Sequence, residues 1–140
     1  RQLDAREAAT MRQGPLITCR ILEPLRVFET EIQIIRHIRE RFDGSGYPEG
    51  LAEQDIPIGS RLLAVAEAFD SITCNRAYRM GRGKDEALSI LRASAGTQFD
   101  PEFVGLIEQC VRKHPARWQN QIEKARIEMP AEPTGIAFGL

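Results

Sequence analysis

Apolar residues recur every three or four positions between Pro57 and Thr73, which is the spacing of one face of an α-helix. Proline is favoured in the first turn of a helix, so Pro57 fits the start of this element. The apolar stripe consists of Leu62, Leu63, Val65, Ala66, Phe69 and Ile72. No stretch of the chain alternates apolar and polar residues as a half-buried strand would. The sequence therefore predicts an all-α fold.

Turn and cap signals divide the rest of the chain into further predicted helices. Gly14-Pro15 predicts a break between the first two helices, because proline removes a backbone donor from a helix interior. Thr30 is the expected N-cap of the third helix, and Phe42 closes its apolar run. The other predicted helices cover residues 5–12, 15–22, 84–94, 101–111 and 116–128. In total the sequence predicts about six to seven helices.

Composition places these helices in one compact domain. The chain has 140 residues, of which 42% are hydrophobic, enough for one modest core. Its net charge of -1 gives no bulk attraction to a nucleic acid polymer or to an anionic membrane. No apolar run approaches the roughly 18 residues of a membrane span. We therefore expect a cytoplasmic helical domain over residues 1–128, followed by a flexible tail over 129–140, where prolines and Gly135 lie.

Four motifs occur in a fixed order along the chain. The first is an acidic, glycine-rich segment over residues 40–51 that contains Gly46-Tyr47-Pro48. The other three are the long helix with its preceding turn, a basic connection and a turn before the last apolar helix, at residues 55–73, 75–79 and 96–101. Together they resemble the HD-GYP family of the HD superfamily, bacterial phosphodiesterases that hydrolyse cyclic di-GMP. The resemblance runs from Leu3 to Leu106 and implies the C-terminal part of an HD-domain helical bundle.

The resemblance also implies a metal site, and this sequence departs from it. Relatives use two or three iron-class ions held by histidines and carboxylates. The paired histidines that precede Glu40 in the family are Ile38 and Arg39 here, Gly14 stands where another histidine is usual, and the aspartate of the long helix is Glu67. The family's His-Asp doublet falls before Arg1. These differences predict a degenerate, N-terminally truncated member with no cofactor, no catalytic residue and no enzymatic activity, in which Glu67 is the one residual ligand position.

Three arginines form the candidate phosphate clamp. The resemblance places Arg76 and Arg79 where relatives hold the phosphates of the dinucleotide, and a guanidinium suits bidentate phosphate contacts. Arg39 cannot ligate a cation, so it either extends to water or attracts a phosphate with its own charge. His37 lies one residue before the paired positions and is interpreted as a surface or groove histidine rather than a ligand.

The Gly-Tyr-Pro loop is the candidate interaction surface. Its residues are Asp43, Gly44, Gly46, Tyr47 and Pro48, with Asp70 as the expected structural partner of the Tyr47 hydroxyl. An aspartate in a glycine-rich turn can bond its own backbone, and glycine permits positive φ. In the family this loop also docks diguanylate cyclase domains. A diguanylate cyclase or a response-regulator-type domain is therefore the expected protein partner.

Three functional hypotheses remain open on the sequence. The first is a catalytically inactive signalling module that acts by protein–protein interaction. The second is a metal-free cyclic di-GMP sensor that keeps the arginine clamp, and the third is a residual metal-dependent phosphohydrolase. Missing early helices would leave apolar faces around Ile34, Ile38, Leu62 and Phe69 uncovered, which predicts either a homodimer or cover by the segment around Trp118 and Ile122.

Overall fold

A computed structural model describes residues 4–74 and 81–114, and this part of the chain is helical. Its helices are α1 (Ala5–Leu22), α2 (Glu29–Arg36), α3 (Ile58–Thr73), α4 (Lys84–Ala93) and α5 (Pro101–Lys113). Two short 3-10 turns lie at Glu23–Leu25 and Glu53–Asp55. Within the described ranges, the β contacts amount to one isolated bridge between Ala95 and Phe99. The predicted all-α class is confirmed, and the helix predicted at 116–128 and the tail lie outside the described residues.

The predicted break at Gly14-Pro15 does not occur, since α1 runs continuously from Ala5 to Leu22 with Pro15 inside it. A proline in a helix interior costs about 3 kcal/mol. Tertiary packing compensates for that cost here, because α1 packs along α2 and buries Cys19, whose thiol donates to the Ile32 carbonyl at 3.5 Å.

The third predicted helix is shorter than its apolar spacing indicates. It begins at Glu29 with Phe28 as its N-cap, so Thr30 is not the cap, and it ends at Arg36 rather than at Phe42. Beyond Arg36 the backbone forms tight turns, in which the Glu40 amide donates to the His37 carbonyl at 3.1 Å. The chain leaves the helix here because Glu40 is drawn inward, where it binds the following loop.

Helices α3, α4 and α5 pack on one another and enclose the main core. Its buried members are Val65, Phe69, Ala87, Leu88, Leu91, Phe99, Phe103, Val104 and Val111. The end signals read from the sequence are confirmed. Pro57 precedes α3 directly, Gly96 follows α4 with φ +78°, and Asp100 caps α5 by accepting from the Glu102 amide at 2.8 Å.

A largely buried ion pair ties the start of α3 to the start of α5. Arg61 Nη1 lies 2.6 Å from Asp100 Oδ2, with side chains that are 12% and 5% exposed. The same guanidinium donates through Nε to the Ile56 carbonyl at 3.0 Å and lies over the Phe103 ring. Both charges therefore have several partners, as buried charges require.

The apolar surface matches the sequence expectation only in part. Leu62 is 51% exposed and Ile58 is 67% exposed on α3, but Phe69 is 3% exposed because α4 and α5 cover it. The expectation that Phe69 would lack cover is thus wrong, and a homodimer stays a prediction. No helix within the described ranges is both long and apolar enough to cross a membrane.

Removing one member of the Arg61–Asp100 pair should strongly destabilise the domain. Arg61→Ala would leave the Asp100 carboxylate buried without its cation, and breaking a buried pair costs about 3–5 kcal/mol. We expect urea denaturation to report that loss. The matched control is Glu86→Ala, which removes an exposed pair with Arg82 and should cost less than about 1 kcal/mol. Equal losses in the two variants would contradict this account.

Candidate functional site

A buried carboxylate organises the Gly-Tyr-Pro loop. The Glu40 side chain is fully buried, and its two oxygens accept from the backbone amides of Glu49 at 2.8 Å and Gly50 at 3.1 Å. His37 is also buried, with Nδ1 at 3.5 Å from Glu40 Oε1. The interpretation of His37 as a surface or groove histidine is therefore wrong. The arrangement closes residues 40–50 into a fixed loop.

Close backbone contact at Gly46 completes the loop. A Cβ added at Gly46 would lie 2.3 Å from the Arg41 nitrogen and 2.5 Å from Glu40 Cα, so only glycine fits without a backbone shift. The next amide, that of Tyr47, donates to the Arg39 carbonyl at 3.3 Å. The loop thus folds back over residues 39–41 and brings Tyr47 next to the backbone of Arg39.

Asp43 stabilises the first turn of the loop through short-range bonds. Its Oδ1 accepts from the Ser45 amide at 3.0 Å and from the Ser45 hydroxyl at 2.6 Å. These hydrogen bonds, followed by the nearby Arg41 guanidinium, lower the pKa of the Asp43 carboxyl from its ordinary value of 3.8. Gly44 has φ +78°, in the region where glycine is favoured.

The loop is joined to the turn between α4 and α5. The Phe42 amide donates to the Gln98 carbonyl at 3.3 Å, and the Asp43 amide donates to the Thr97 carbonyl at 2.8 Å. Two of the motifs in the sequence are therefore neighbours in space. Their contact forms one wall of a cavity whose other wall is α3.

This cavity, called the Arg39 cavity below, has a volume of about 480 Å³. Its apolar lining consists of Ile38, Ala64, Ala68, Ile72, Ile90 and Phe99. Its polar lining consists of Arg39, Glu40, Arg41, Tyr47, Glu67, Ser71, Ser94 and Gln98. Arg39 Nη2 donates to Glu67 Oε1 at 3.0 Å, and the two side chains are 45% and 43% exposed. A cavity of this size is large enough for a small molecule, and its lining offers both apolar surface and polar groups to one.

The iron-class ions implied by the sequence resemblance do not fit the described residues. No group of three or more histidine, cysteine, aspartate or glutamate side chains that could hold a metal ion occurs within residues 4–74 and 81–114. The two carboxylates of the cavity are already engaged, Glu40 by two backbone amides and Glu67 by a guanidinium. The fixed positive charge of Arg39 also opposes a cation beside Glu67.

The predicted site residues are brought together only in part. Arg39 and Tyr47 line the same cavity, whereas Arg76 and Arg79 lie outside the described residues. The expected bond between Tyr47 and Asp70 is not formed. Asp70 Oδ1 lies 3.2 Å from the Cys74 thiol on an exposed face of α3, and the Tyr47 ring faces the Arg12 guanidinium at 5.7 Å.

The sequence did not predict that Glu40 anchors the loop. It also did not predict that Gln98 and Phe99 line the cavity. Glu40 was named only as the residue after the lost histidines. Gln98 and Phe99 stood in a recognised motif, but nothing in the sequence indicated that this turn meets the loop.

Comparisons with known proteins show the family. Residues 1–103 match the family model described as "HD domain". Over 73% of its own length, this chain is 37% identical to a cyclic di-GMP phosphodiesterase of Thermotoga maritima. Over 50% of its own length, it is 46% identical to the cyclic di-GMP phosphodiesterase response regulator RpfG of Xanthomonas campestris. It spans 28% and 18% of these relatives.

A solved structure shows the same fold. The cyclic GMP-AMP specific phosphodiesterase V-cGAP3 of Vibrio cholerae superposes with a TM-score of 0.67 at 25% identity, over 92% of this chain and 31% of that one. The chain thus belongs to the HD domain family, and the HD-GYP resemblance is confirmed.

The prediction that the chain is not an enzyme is contradicted by these comparisons. Relatives that are 37% and 46% identical to it are cyclic di-GMP phosphodiesterases. The prediction treated residue types at a few positions as proof of lost activity. That step does not follow, because the chain spans only a minor part of each relative's length and lost ligand positions alone do not measure turnover.

Glu40→Gln should loosen the loop. The amide can accept from only one of the two backbone donors, and a hydrogen bond to a charged group contributes about 1.5–3 kcal/mol. We expect a loss of that size in urea denaturation, with faster hydrogen exchange at the Glu49 and Gly50 amides. Glu49→Gln is the control, since its exposed pair with Arg36 should contribute less than about 1 kcal/mol. Unchanged exchange in Glu40→Gln would contradict the anchoring function.

The Asp43 carboxyl should titrate below pH 3.8 in the folded domain. Its folded pKa is depressed, so the stability that it contributes is complete above the ordinary value and is lost as the pH falls through the folded value. Carboxyl NMR shifts recorded against pH would measure the midpoint. Ser45→Ala removes the hydroxyl donor and should raise that midpoint. A midpoint at or above the ordinary value in the unsubstituted chain would refute the assignment.

Proposed function

We propose that this chain is part of a cyclic dinucleotide phosphodiesterase and that the Arg39 cavity binds the cyclic dinucleotide. Membership of the HD domain family supports the class. Relatives named as phosphodiesterases of cyclic di-GMP and of cyclic GMP-AMP support the substrate class. Because the chain spans about a quarter of the Thermotoga relative, the activity and the ligand are both proposals.

The observation that carries the proposal is that most hydrogen-bond donors of Arg39 are unused. Among the described residues, its guanidinium makes a single hydrogen bond, from Nη2 to Glu67. The other donors of the planar group remain able to contact a phosphodiester oxygen, for which guanidinium geometry is well suited. An ion pair this exposed contributes about 0–1 kcal/mol, so a phosphate can displace Glu67 at little cost.

The interior of the cavity suits the rest of a dinucleotide. Ile38 and Ile72 offer apolar surface against which a base can pack, and Tyr47 adds an aromatic ring at the edge. Ring stacking on a base contributes about 1–3 kcal/mol in nucleic acid complexes. The cavity thus combines a cation for a phosphate with apolar surface for a base.

Arg76 and Arg79 remain candidate phosphate contacts. They follow α3 directly, and Ser71 and Ile72 in the last turns of that helix line the cavity. A connection that leaves α3 at this end starts close to the cavity, which supports the proposal without placing either guanidinium.

Docking of a protein partner on the Gly-Tyr-Pro loop is a second candidate function. Pro48, Glu49 and Gly50 are exposed on a loop that Glu40 holds rigid, and a preorganised loop loses little entropy on binding. A diguanylate cyclase or response-regulator-type domain is the proposed partner. Tyr47 is half-buried in the cavity wall, so Glu49 and its neighbours are the better contact residues.

Arg39→Ala should weaken cyclic dinucleotide binding. A charge-assisted hydrogen bond contributes about 1.5–3 kcal/mol, which corresponds to a roughly ten- to hundredfold rise in Kd. Calorimetric titration of the 140-residue chain with cyclic di-GMP would measure the change. Arg20→Ala is the control, because Arg20 is exposed on α1 and does not line the cavity.

Binding and hydrolysis are followed separately in the same samples. We expect binding of cyclic di-GMP at micromolar concentrations and release of linear dinucleotide in the hydrolysis assay. No heat at high micromolar ligand, or equal Kd values for Arg39→Ala and Arg20→Ala, would overturn the assignment of the cavity. Binding without any linear product would leave the cavity assigned and overturn the phosphodiesterase activity of this chain.

A further inference from the structure

We infer that Arg12 of α1 is a second phosphate contact at the edge of the Arg39 cavity and that the ring of Tyr47 positions it. This inference rests on the proposed function, since it concerns the second phosphodiester of the dinucleotide held there. Tyr47 lines the cavity, and the Arg12 guanidinium lies over its ring, 5.7 Å from the centroid. Arg12 is exposed, so a ligand can reach it.

The continuity of α1 brings Arg12 to this position. Helix α1 contacts α2 at the buried Cys19, whose thiol donates to the Ile32 carbonyl, and Arg12 precedes Pro15 in the same helix. A break at Gly14-Pro15 would have separated Arg12 from the packed half of α1. Because the helix runs through Pro15, its packing on α2 also holds Arg12 beside the Gly-Tyr-Pro loop.

The hydrogen-bond donors of Arg12 are unused within the part of the chain that the structure describes. There, its guanidinium has neither a carboxylate partner nor a hydrogen bond, and it contacts the Tyr47 ring. Attraction between a cation and an aromatic face is electrostatic and uses no N–H donor in a conventional hydrogen bond. The five donors of the planar group thus remain available to a phosphodiester oxygen.

The guanidinium of Arg41, which also lines the cavity, is already engaged. It donates through Nε to the Ser45 hydroxyl at 2.8 Å, and its Nη2 lies 3.4 Å from Asp43 Oδ2. These contacts stabilise the first turn of the loop. Arg12, by contrast, carries a positive charge that no described carboxylate balances.

The charges of the bound state favour a second cation at the cavity. A cyclic dinucleotide carries two phosphodiester groups on opposite sides of its macrocycle, each with one negative charge. When Arg39 turns from Glu67 to one phosphate, the Glu67 carboxylate and the second phosphate are both left without that cation. Like charges repel each other more strongly in a cavity than in bulk water, because the local dielectric is lower. Arg12 supplies the additional positive charge at the cavity edge.

Calorimetric titration of the 140-residue chain with cyclic di-GMP tests the inference. Arg12→Ala should raise Kd by about tenfold or more, the size expected for a lost charge-assisted hydrogen bond. Arg20→Ala removes the same charge from an exposed position further along α1 and should leave Kd unchanged. Arg12→Lys keeps the charge without the planar fork, so its Kd should lie between those of the unsubstituted chain and Arg12→Ala.

Two double-mutant cycles test the separate phosphates and the positioning by the ring. If Arg12 and Arg39 contact different phosphates, the two alanine substitutions should raise Kd by independent factors that multiply. If the Tyr47 ring positions Arg12, Arg12→Ala should raise Kd by a smaller factor in a Tyr47→Leu background than in the unsubstituted chain. Circular dichroism checks that each variant keeps its helical content.

The outcomes separate this inference from the proposed function. Equal Kd values for Arg12→Ala and the unsubstituted chain, or equal losses in Arg12→Ala and Arg20→Ala, would overturn the contact and leave the cavity as a binding site. Strong coupling between Arg12 and Arg39 would overturn the assignment to separate phosphates. A loss in Arg12→Ala that is undiminished in the Tyr47→Leu background would refute positioning by the ring. Failure of the unsubstituted chain to bind cyclic di-GMP would overturn the proposed function and the inference with it.

Discussion

The buried carboxylate of Glu40 is the interaction on which the site depends. A charged group without water needs strong partners, and here two consecutive loop amides supply them. To reach them the chain must leave helix α2 early and fold back across its own backbone, which only Gly46 permits. The closed loop then determines the positions of Arg39 and Tyr47 in the cavity wall and contacts the turn at Thr97. The apolar core holds helices α3, α4 and α5 together, and Glu40 holds the loop that forms the opposite wall of the cavity.

The sequence predicted the elements whose causes are local. Pro57, Gly96 and Asp100-Pro101 act through their own backbone preferences and mark helix ends correctly. The incorrect predictions concern helix ends that tertiary contacts determine. Packing of α1 on α2 overrides Pro15, and the backbone amides of Glu49 and Gly50 draw Glu40 out of a helix that its apolar spacing would extend. The motifs identified the family, but the pairing of Arg39 with Glu67 depends on a contact between residues 28 positions apart.

The Arg39–Glu67 pair would allow a cavity with no described metal cluster to hold the charged ligand proposed above. While the site is empty, the two opposite charges pair with each other and water solvates their exposed sides. Because both are half-exposed, the pair is weak enough to open. A stronger, buried pair such as Arg61–Asp100 could not serve this purpose, since opening it would cost several kcal/mol. Under the proposed function, the buried ion pair supports the fold and the exposed pair opens to a ligand.

The hydrogen bonds from Phe42 and Asp43 to the turn at residues 97–98 join two parts of the chain that are far apart in sequence. The cavity between them therefore has no counterpart in a partly folded chain, where either wall could form without the other. A ligand held there binds only the complete fold, and by mass action it stabilises the whole domain rather than one loop. The amount of this protein that survives in a cell would then rise and fall with the concentration of its own ligand.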